Sequence, residues 1–178
     1  MKGKISGFVA FAAGLGVLTL FLMALNWFPL AVDGTLMRRY GDFDEMRSRL
    51  GIRHILVPSY FPEEYRWPPT GILAQGKPYP AVVMEFERSD GGKGGEVGLL
   101  IAQAAAADFS PGGKPRIARV RERASYPLKG RSALLEVGDG EKGEICTRIS
   151  WRENEFQVTV IARSTPFEAI RVAESMLR

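Results

Sequence analysis

The 178-residue chain has 24 Lys and Arg against 20 Asp and Glu, and its formal charge of +4 does not mark a strongly basic or acidic protein. One cysteine, Cys146, and one histidine, His54, exclude an intrachain disulfide and disfavour a zinc site or a histidine-activated nucleophile. Because no nucleophile-elbow, phosphate-loop or dinucleotide motif is present, we predict no catalytic residue, no metal and no cofactor. A carboxylate-only enzyme is the remaining enzymatic alternative, although adjacent acids such as Glu63 and Glu64 are more typical of a solvated face.

The first long apolar stretch, residues 5–32, has no charged side chain over 28 positions. A helix of about 20 apolar residues spans a bilayer core, whereas the apolar part of a secretory signal has roughly 7–15 residues. Trp27 and Phe28 stand near the end of the stretch, where aromatic rings favour the headgroup region, and no small-residue cleavage pattern follows them. We therefore predict an uncleaved N-terminal transmembrane helix over residues 5–32.

Two lysines, Lys2 and Lys4, lie in the short segment 1–4 before this stretch, with no acid beside them. Because basic residues next to a membrane span are retained in the cytoplasm, we predict a cytoplasmic tail at 1–4 and an extracytoplasmic position for residues 33–178. The expected location is the bacterial inner (cytoplasmic) membrane, crossed once. Further arginines beyond residue 33 leave the reverse orientation as the alternative.

One face of the predicted anchor carries small residues four apart, at Ser6, Ala10 and Gly14. Small residues at this spacing let two membrane helices approach closely, so we predict a helix–helix contact on this face. The alternative is that glycine and alanine are simply frequent in membrane helices.

Residues 33–54 are predicted to form an amphipathic helix followed by a connector. Between residues 36 and 50 the apolar side chains recur at helical spacing: Leu36, Met37, Tyr40, Phe43, Met46 and Leu50. Gly51 is suited to end this helix, because glycine adopts the left-handed conformation without strain. The apolar face either lies on the membrane surface or packs on the domain, and we favour packing.

The next segment, residues 56–69, is rich in proline and aromatic side chains. Its aromatic residues are Tyr60, Phe61, Tyr65 and Trp67. Because proline excludes regular helix and central strand, we expect an extended connection. It either covers one end of the core or lines a ligand groove, and the second possibility makes these four residues candidate binding residues.

Residues 55–178 have the pattern of an α+β domain with a mainly antiparallel sheet. Apolar runs at 81–87 and 96–102 flank a glycine-rich loop, which is typical of a hairpin. Further strands are predicted at 117–123 and 132–137.

The last 35 residues predict a hairpin and a closing helix. A tight turn at Glu153-Asn154 would place Trp151 opposite Phe156 and give one apolar and one mostly polar face. Cys146 and Ile161 would pair on the polar face, which indicates that this face is partly covered. Thr165, Pro166 and Glu168 then form a helix start with a capping box, followed by an apolar stripe at Phe167, Ile170, Ala173 and Leu177 that packs on the sheet.

Residues 114–131 contain seven Lys and Arg against one acid, Glu122, a local charge of +6. In a regular strand Arg119, Arg121 and Arg123 would form a ladder on one face. Such a ladder suits anionic lipid, a phosphorylated glycan or an acidic protein partner. The alternative is a strand edge protected from aggregation by charge. We do not expect nucleic acid as a partner outside the membrane.

The segment Tyr60-Phe61-Pro62-Glu63, the strands, the Trp151 hairpin and the closing helix together resemble a bacterial extracytoplasmic domain of unknown function. Such domains occur on membrane-anchored anti-sigma factors and are similar to the lipoprotein-carrier fold. The resemblance covers residues 55–178 and implies no catalytic residue. Because only residues 1–4 precede the predicted anchor, we expect no cytoplasmic sigma-binding domain.

These observations lead to a functional prediction: a non-enzymatic, single-pass envelope protein whose outer domain binds a protein or a lipid-like ligand. The alternative is an accessory subunit of a larger membrane protein complex, held by the small-residue face of the anchor. The expected partners are the bilayer, a protein and, through the arginines, anionic lipid.

Overall fold

The structure, a computed structural model, describes residues 37–89 and 95–177, together with Gly16, Val17, Thr19 and Met23, which are helical. Residues from Met37 onward form a compact unit of their own. Within the described part of the chain, no helix has both the length and the apolar character needed to cross a membrane.

Several sequence-based predictions lie outside the described residues. They are the cytoplasmic tail at 1–4, most of the anchor at 5–32, and the proposed contact residues Ser6, Ala10 and Gly14.

Residues 37–89 and 95–177 form one eight-stranded antiparallel sheet and two short helices. The strands are β1 (Arg38–Tyr40), β2 (Gly71–Gln75), β3 (Ala81–Glu87), β4 (Val97–Ala104), β5 (Arg119–Leu128), β6 (Arg131–Asp139), β7 (Ile145–Glu153) and β8 (Phe156–Ala162). The helices are α1 (Phe43–Leu50) and α2 (Pro166–Ser175). The sheet order is β1-β2-β3-β4-β8-β7-β6-β5, so β5 forms one edge. The predicted α+β class, with a mainly antiparallel sheet and a packed C-terminal helix, is confirmed.

The two faces of the sheet are covered by different parts of the chain. The first face packs against α1, α2 and the segment between α1 and β2, and it contributes the main core. Its largest fully buried side chains include Phe86, Leu99, Ile101, Ile149 and Trp151. The second face holds a smaller cluster around Leu100, Cys146 and Ile161, on which Phe109 and Ile117 pack. The expected partial cover over Cys146 and Ile161 is therefore present.

The β7–β8 hairpin has the predicted faces but a register that differs by two residues. Trp151 lies opposite Val158, and Glu153 lies opposite Phe156. The turn therefore falls at Asn154 and Glu155, because Asn154 adopts the left-handed conformation (φ 54°), which asparagine tolerates better than most residues. A shift of two residues keeps every side chain on its face, so the apolar face of the hairpin was predicted correctly.

The helix predicted at 36–50 is only partly helical. Arg38–Tyr40 is instead the edge strand β1, paired with β2. Helix α1 begins after Asp42, whose side chain accepts a hydrogen bond from the Glu45 amide at 2.7 Å. This side-chain cap and the flexible Gly41 before it make residue 43 the natural start. The helix ends at Gly51 (φ 68°), as predicted.

Helix α2 begins with Pro166 at its first turn, as predicted, but the capping box is absent. The Thr165 side chain makes no capping hydrogen bond, and the Glu168 carboxylate accepts instead from the Tyr60 hydroxyl at 2.8 Å. The buried side of the helix is Ala169, Val172 and Ala173. Phe167, predicted on the apolar stripe, is 64% exposed because this side of the helix faces away from the sheet.

Candidate functional site

The first candidate site is a cavity of about 820 Å³ on the first face of the sheet, which we call the connector cavity. It lies beside residues 51–56, which connect α1 to the aromatic segment, and beside the end of α2 and the β7–β8 turn. Its apolar lining consists of Leu50, Ile52, Ile55, Leu56, Pro80, Phe156, Met176 and Leu177. These side chains come from four separate stretches of the chain, at 50–56, 80, 156 and 176–177, so only the tertiary structure brings them together.

Gln103 of β4 holds the connector against the sheet. Its side-chain amide donates to the Leu56 carbonyl at 2.6 Å, and its side-chain oxygen accepts from the Leu56 amide at 2.9 Å. Gln103 is buried, so these two bonds satisfy a polar group that would otherwise destabilise the core. The wall of the cavity that carries Leu56 is therefore tied to the sheet through this side chain.

The rim of the connector cavity is charged and hydrogen-bonding. Arg131 and Glu153 form a two-bond ion pair, with Nε–Oε2 at 2.5 Å and Nη2–Oε1 at 2.9 Å. Arg53, His54 and Glu155 also line the cavity. An apolar interior with a polar rim suits a molecule that has an apolar body and a polar end.

Three of the four predicted aromatic binding residues pack together around Phe86. The Phe61 ring lies 4.8 Å from the Phe86 ring and contacts the rings of Tyr65 and Trp67 edge-on. Trp67 stacks on Phe86 at 6.1 Å and stays 53% exposed. These residues cover one end of the core, and none of them lines the connector cavity.

Tyr60 and Tyr65 tie the aromatic segment to the C-terminal part of the domain. The Arg171 guanidinium lies 3.9 Å from the centre of the Tyr60 ring, a cation–π contact. The hydrogen bond to Glu168 and burial raise the pKa of Tyr60. The Tyr65 hydroxyl donates to the Arg163 carbonyl at 3.4 Å, and burial raises the pKa of Tyr65. In this structure the contacts of both residues are internal to the fold.

The three predicted arginines lie on the edge strand β5, where a β-bulge between Val120 and Glu122 interrupts the pairing with β6. Arg121 pairs with Asp139 (Nε–Oδ2 2.8 Å), whereas Arg123 pairs with Glu136 (Nε–Oε1 2.9 Å). Asp139 and Glu136 are three residues apart on a regular strand and therefore lie on opposite faces. The bulge thus divides the predicted ladder.

The Arg119 side chain makes no hydrogen bond or ion pair with a described residue, in contrast to the side chains of Arg121 and Arg123. Glu136 is absent from the candidate site residues predicted from the sequence, although it stands within the otherwise apolar run 133–138. An acid inside such a run is the signal that would have indicated a buried ion pair.

The thiol of Cys146 is free and buried. Burial, with Glu144 nearby, raises the pKa of the Cys146 thiol to about 11, so the reactive thiolate is scarce at neutral pH. Within residues 37–89 and 95–177, no three His, Cys, Asp or Glu side chains cluster as metal ligands would.

Comparison with known proteins returns no match, whether to a protein family, to a curated protein or to a solved structure.

Proposed function

We propose that the chain is a non-enzymatic, single-pass envelope protein whose extracytoplasmic domain binds a lipid-like ligand in the connector cavity. The observation that carries this proposal is the cavity itself, about 820 Å³, in which eight of the 17 lining residues are apolar. Pockets that hold small molecules have volumes of roughly 300–1,000 Å³ and mostly apolar linings.

The chemistry of the rim favours an amphipathic ligand over a purely apolar one. Arg53, Arg131 and His54 offer donors at the cavity edge, and Glu153 and Glu155 offer acceptors. An alkyl chain would contact Ile55, Phe156 and Met176, while a polar head would meet the rim. The charge-free stretch at 5–32 supports the proposal from the sequence, since a membrane anchor would keep the domain close to such ligands.

The test is binding of a fluorescent C16 fatty acid to the full chain in an uncharged amphipol, which avoids competing detergent. Ile55→Arg places a charge in the cavity wall and should weaken binding at least tenfold. Ile145→Arg is the matched control, because Ile145 is 52% exposed and does not line the cavity. Equal binding by the two variants, both retaining the parent melting temperature, would contradict the proposal.

A second proposal, an accessory subunit of a membrane complex, is favoured by the small residues Ser6, Ala10 and Gly14 in the sequence. Gentle detergent extraction followed by mass spectrometry of co-purifying proteins tests it. Replacing all three residues with leucine should release the partner while fatty-acid binding stays unchanged.

A further inference from the structure

A second cavity, of about 690 Å³, lies on the opposite face of the sheet, and we call it the second-face groove. Strands β5 to β8 contribute its floor, and the loop at 107–113 forms a wall. The connector cavity has eight apolar residues in its lining, whereas the ionised side chains of Arg123, Glu136 and Arg148 line the floor of this groove. None of its lining residues also lines the connector cavity.

The floor of the groove holds a carboxylate between two arginines. Glu136 is 1% exposed, and both of its oxygens accept hydrogen bonds, from Arg123 at 2.9 Å and from Arg148 at 2.5 Å. Burial alone would raise the pKa of the Glu136 carboxyl, but the hydrogen bonds from Arg123 and Arg148 outweigh it and lower the pKa. The three residues are therefore all charged at neutral pH.

An ion cluster around a buried carboxylate is weak evidence for stability. Replacing a buried ion cluster with apolar residues of similar volume is often neutral or stabilising, because desolvation offsets the attraction between the charges. The same face also carries the apolar cluster of Cys146 and Ile161, and Ile161 itself lines the groove. The charged side chains of the floor line the groove, where the two arginines remain accessible to solvent.

The arginines keep unused donors. Arg123 and Arg148 each bind Glu136 through Nε and Nη2, which leaves Nη1 of both without a hydrogen bond to a described residue. Both side chains keep solvent contact, at 64% and 37% exposure. Nearby on the floor, the hydroxyls of Ser150 and Thr159 lie 3.1 Å apart.

The charge around the groove is net positive. Its charged lining residues are Asp108, Arg116, Arg123, Glu136 and Arg148, three cations against two anions. At the rim, Arg116 shares Glu141 with Lys114, which repeats the arrangement of two cations around one carboxylate. Each of these clusters keeps one positive charge that its own carboxylate does not neutralise.

We propose that the second-face groove binds a small hydroxylated oxyanion, of the chemical class shared by sugar acids and sugar phosphates. The oxyanion lies on the free Nη1 groups of Arg123 and Arg148, because a planar guanidinium presents parallel donors to carboxylate and phosphate oxygens. Hydroxyl groups of the ligand bind Ser150 and Thr159. This site is independent of lipid binding in the connector cavity.

The experiment uses the full chain in uncharged amphipol, labelled with ¹⁵N-arginine, with the side-chain Nε–H signals assigned through single Arg→Lys variants. Glucuronate, glucose 6-phosphate and glucose are titrated at constant ionic strength. The two anions should shift the Arg123 and Arg148 signals saturably, and glucose should not. A response to only one anion supports the site and identifies its oxyanion.

Arg121 provides the internal control. It stands two residues from Arg123 on β5, has the same 64% exposure, pairs with an acid of β6, and does not line the groove. Absence of a saturable shift with both anions, or an equal shift at Arg121, would overturn the proposal.

Single substitutions of the arginines test the same site through the affinity for the anion. Arg148→Gln should weaken anion binding at least tenfold, and Arg121→Gln should leave it unchanged. If Arg148→Gln lowers the melting temperature strongly, Arg123→Gln replaces it, since that side chain is more exposed and its loss disturbs the fold less. Unchanged affinity in Arg123→Gln would also contradict the proposal.

Discussion

The two faces of the sheet bury their side chains in different ways. The first face is covered by two helices and a long segment, and its core is apolar from β1 to α2. The second face is covered mainly by the loop around Phe109 and Ile117, which packs on a small apolar cluster and leaves a groove over β5 to β8. Apolar side chains predominate where packed helices exclude water from the sheet. Where a loop leaves the sheet open, a buried charged side chain remains on the floor of the groove.

This comparison predicts that substitutions on the first face destabilise the fold most. Ile149→Asp places an unpaired carboxylate in a fully buried site, and we expect a loss of about 4 kcal/mol or more. Ile145→Asp, on the same face of β7 but exposed, should change stability by about 0.5 kcal/mol at most. Chemical unfolding followed by circular dichroism measures both. Equal effects would contradict the assignment of this face to the core.

Substitutions in the aromatic segment test how much its packing stabilises the end of the first-face core. Phe61→Ala should cost about 2–3 kcal/mol, somewhat less than for a fully buried phenylalanine, because the ring packs on Phe86 and keeps some exposure. Trp67→Ala should cost about 1 kcal/mol, because half of the side chain is in solvent. If either variant instead abolished fatty-acid binding at unchanged melting temperature, the segment would be part of a ligand site.

Gln103 tests whether the connector depends on the sheet for its position. Gln103→Leu removes both hydrogen bonds to Leu56, so we expect a loss of about 2 kcal/mol and weaker fatty-acid binding. Gln157→Leu is the matched control, since the Gln157 side chain makes no hydrogen bond with a described residue. If Gln103→Leu keeps the parent melting temperature and binds the fatty acid with unchanged affinity, the connector does not depend on these two hydrogen bonds.

A smaller loss than for Gln103→Leu is expected on the second face, at Glu136. Glu136→Gln should cost about 1–2 kcal/mol at pH 7, because both arginines keep solvent contact. The folded-state pKa of Glu136 is lowered, so its contribution is present above the unfolded-state pKa and is lost as pH falls through the folded-state pKa. The difference between parent and variant should therefore shrink from pH 6 toward strongly acidic pH.

Thermal melts across this pH range measure the effect. Glu122→Gln is the control, since Glu122 lies on β5 without an ion pair to a described residue. The parent should also keep an acid-sensitive contribution from Glu96, because hydrogen bonds from Arg163 and Lys142 lower its pKa to about 2. If the stability difference between the parent and Glu136→Gln grows as pH falls, the two arginines do not hold Glu136 in its charged form.

The amino-acid sequence by itself determined the α+β class, the faces of the β7–β8 hairpin, the end of α1 at Gly51 and the start of α2 at Pro166. These features depend on the alternation of apolar and polar residues along one strand or on the backbone preference of one residue. Both can be recognised from a few consecutive positions in the sequence.

Tertiary structure decided the features that join distant positions. Glu168 binds Tyr60, 108 residues away, and therefore does not cap its own helix. The bulge in β5 separates Arg121 from Arg123, and the sheet order brings Arg123 and Arg148 to Glu136. Likewise, Gln103 reaches Leu56 across 47 residues to hold the cavity wall. The physical reason is that local preference acts within a turn or a strand, whereas ion pairs and cavities depend on which strands become neighbours.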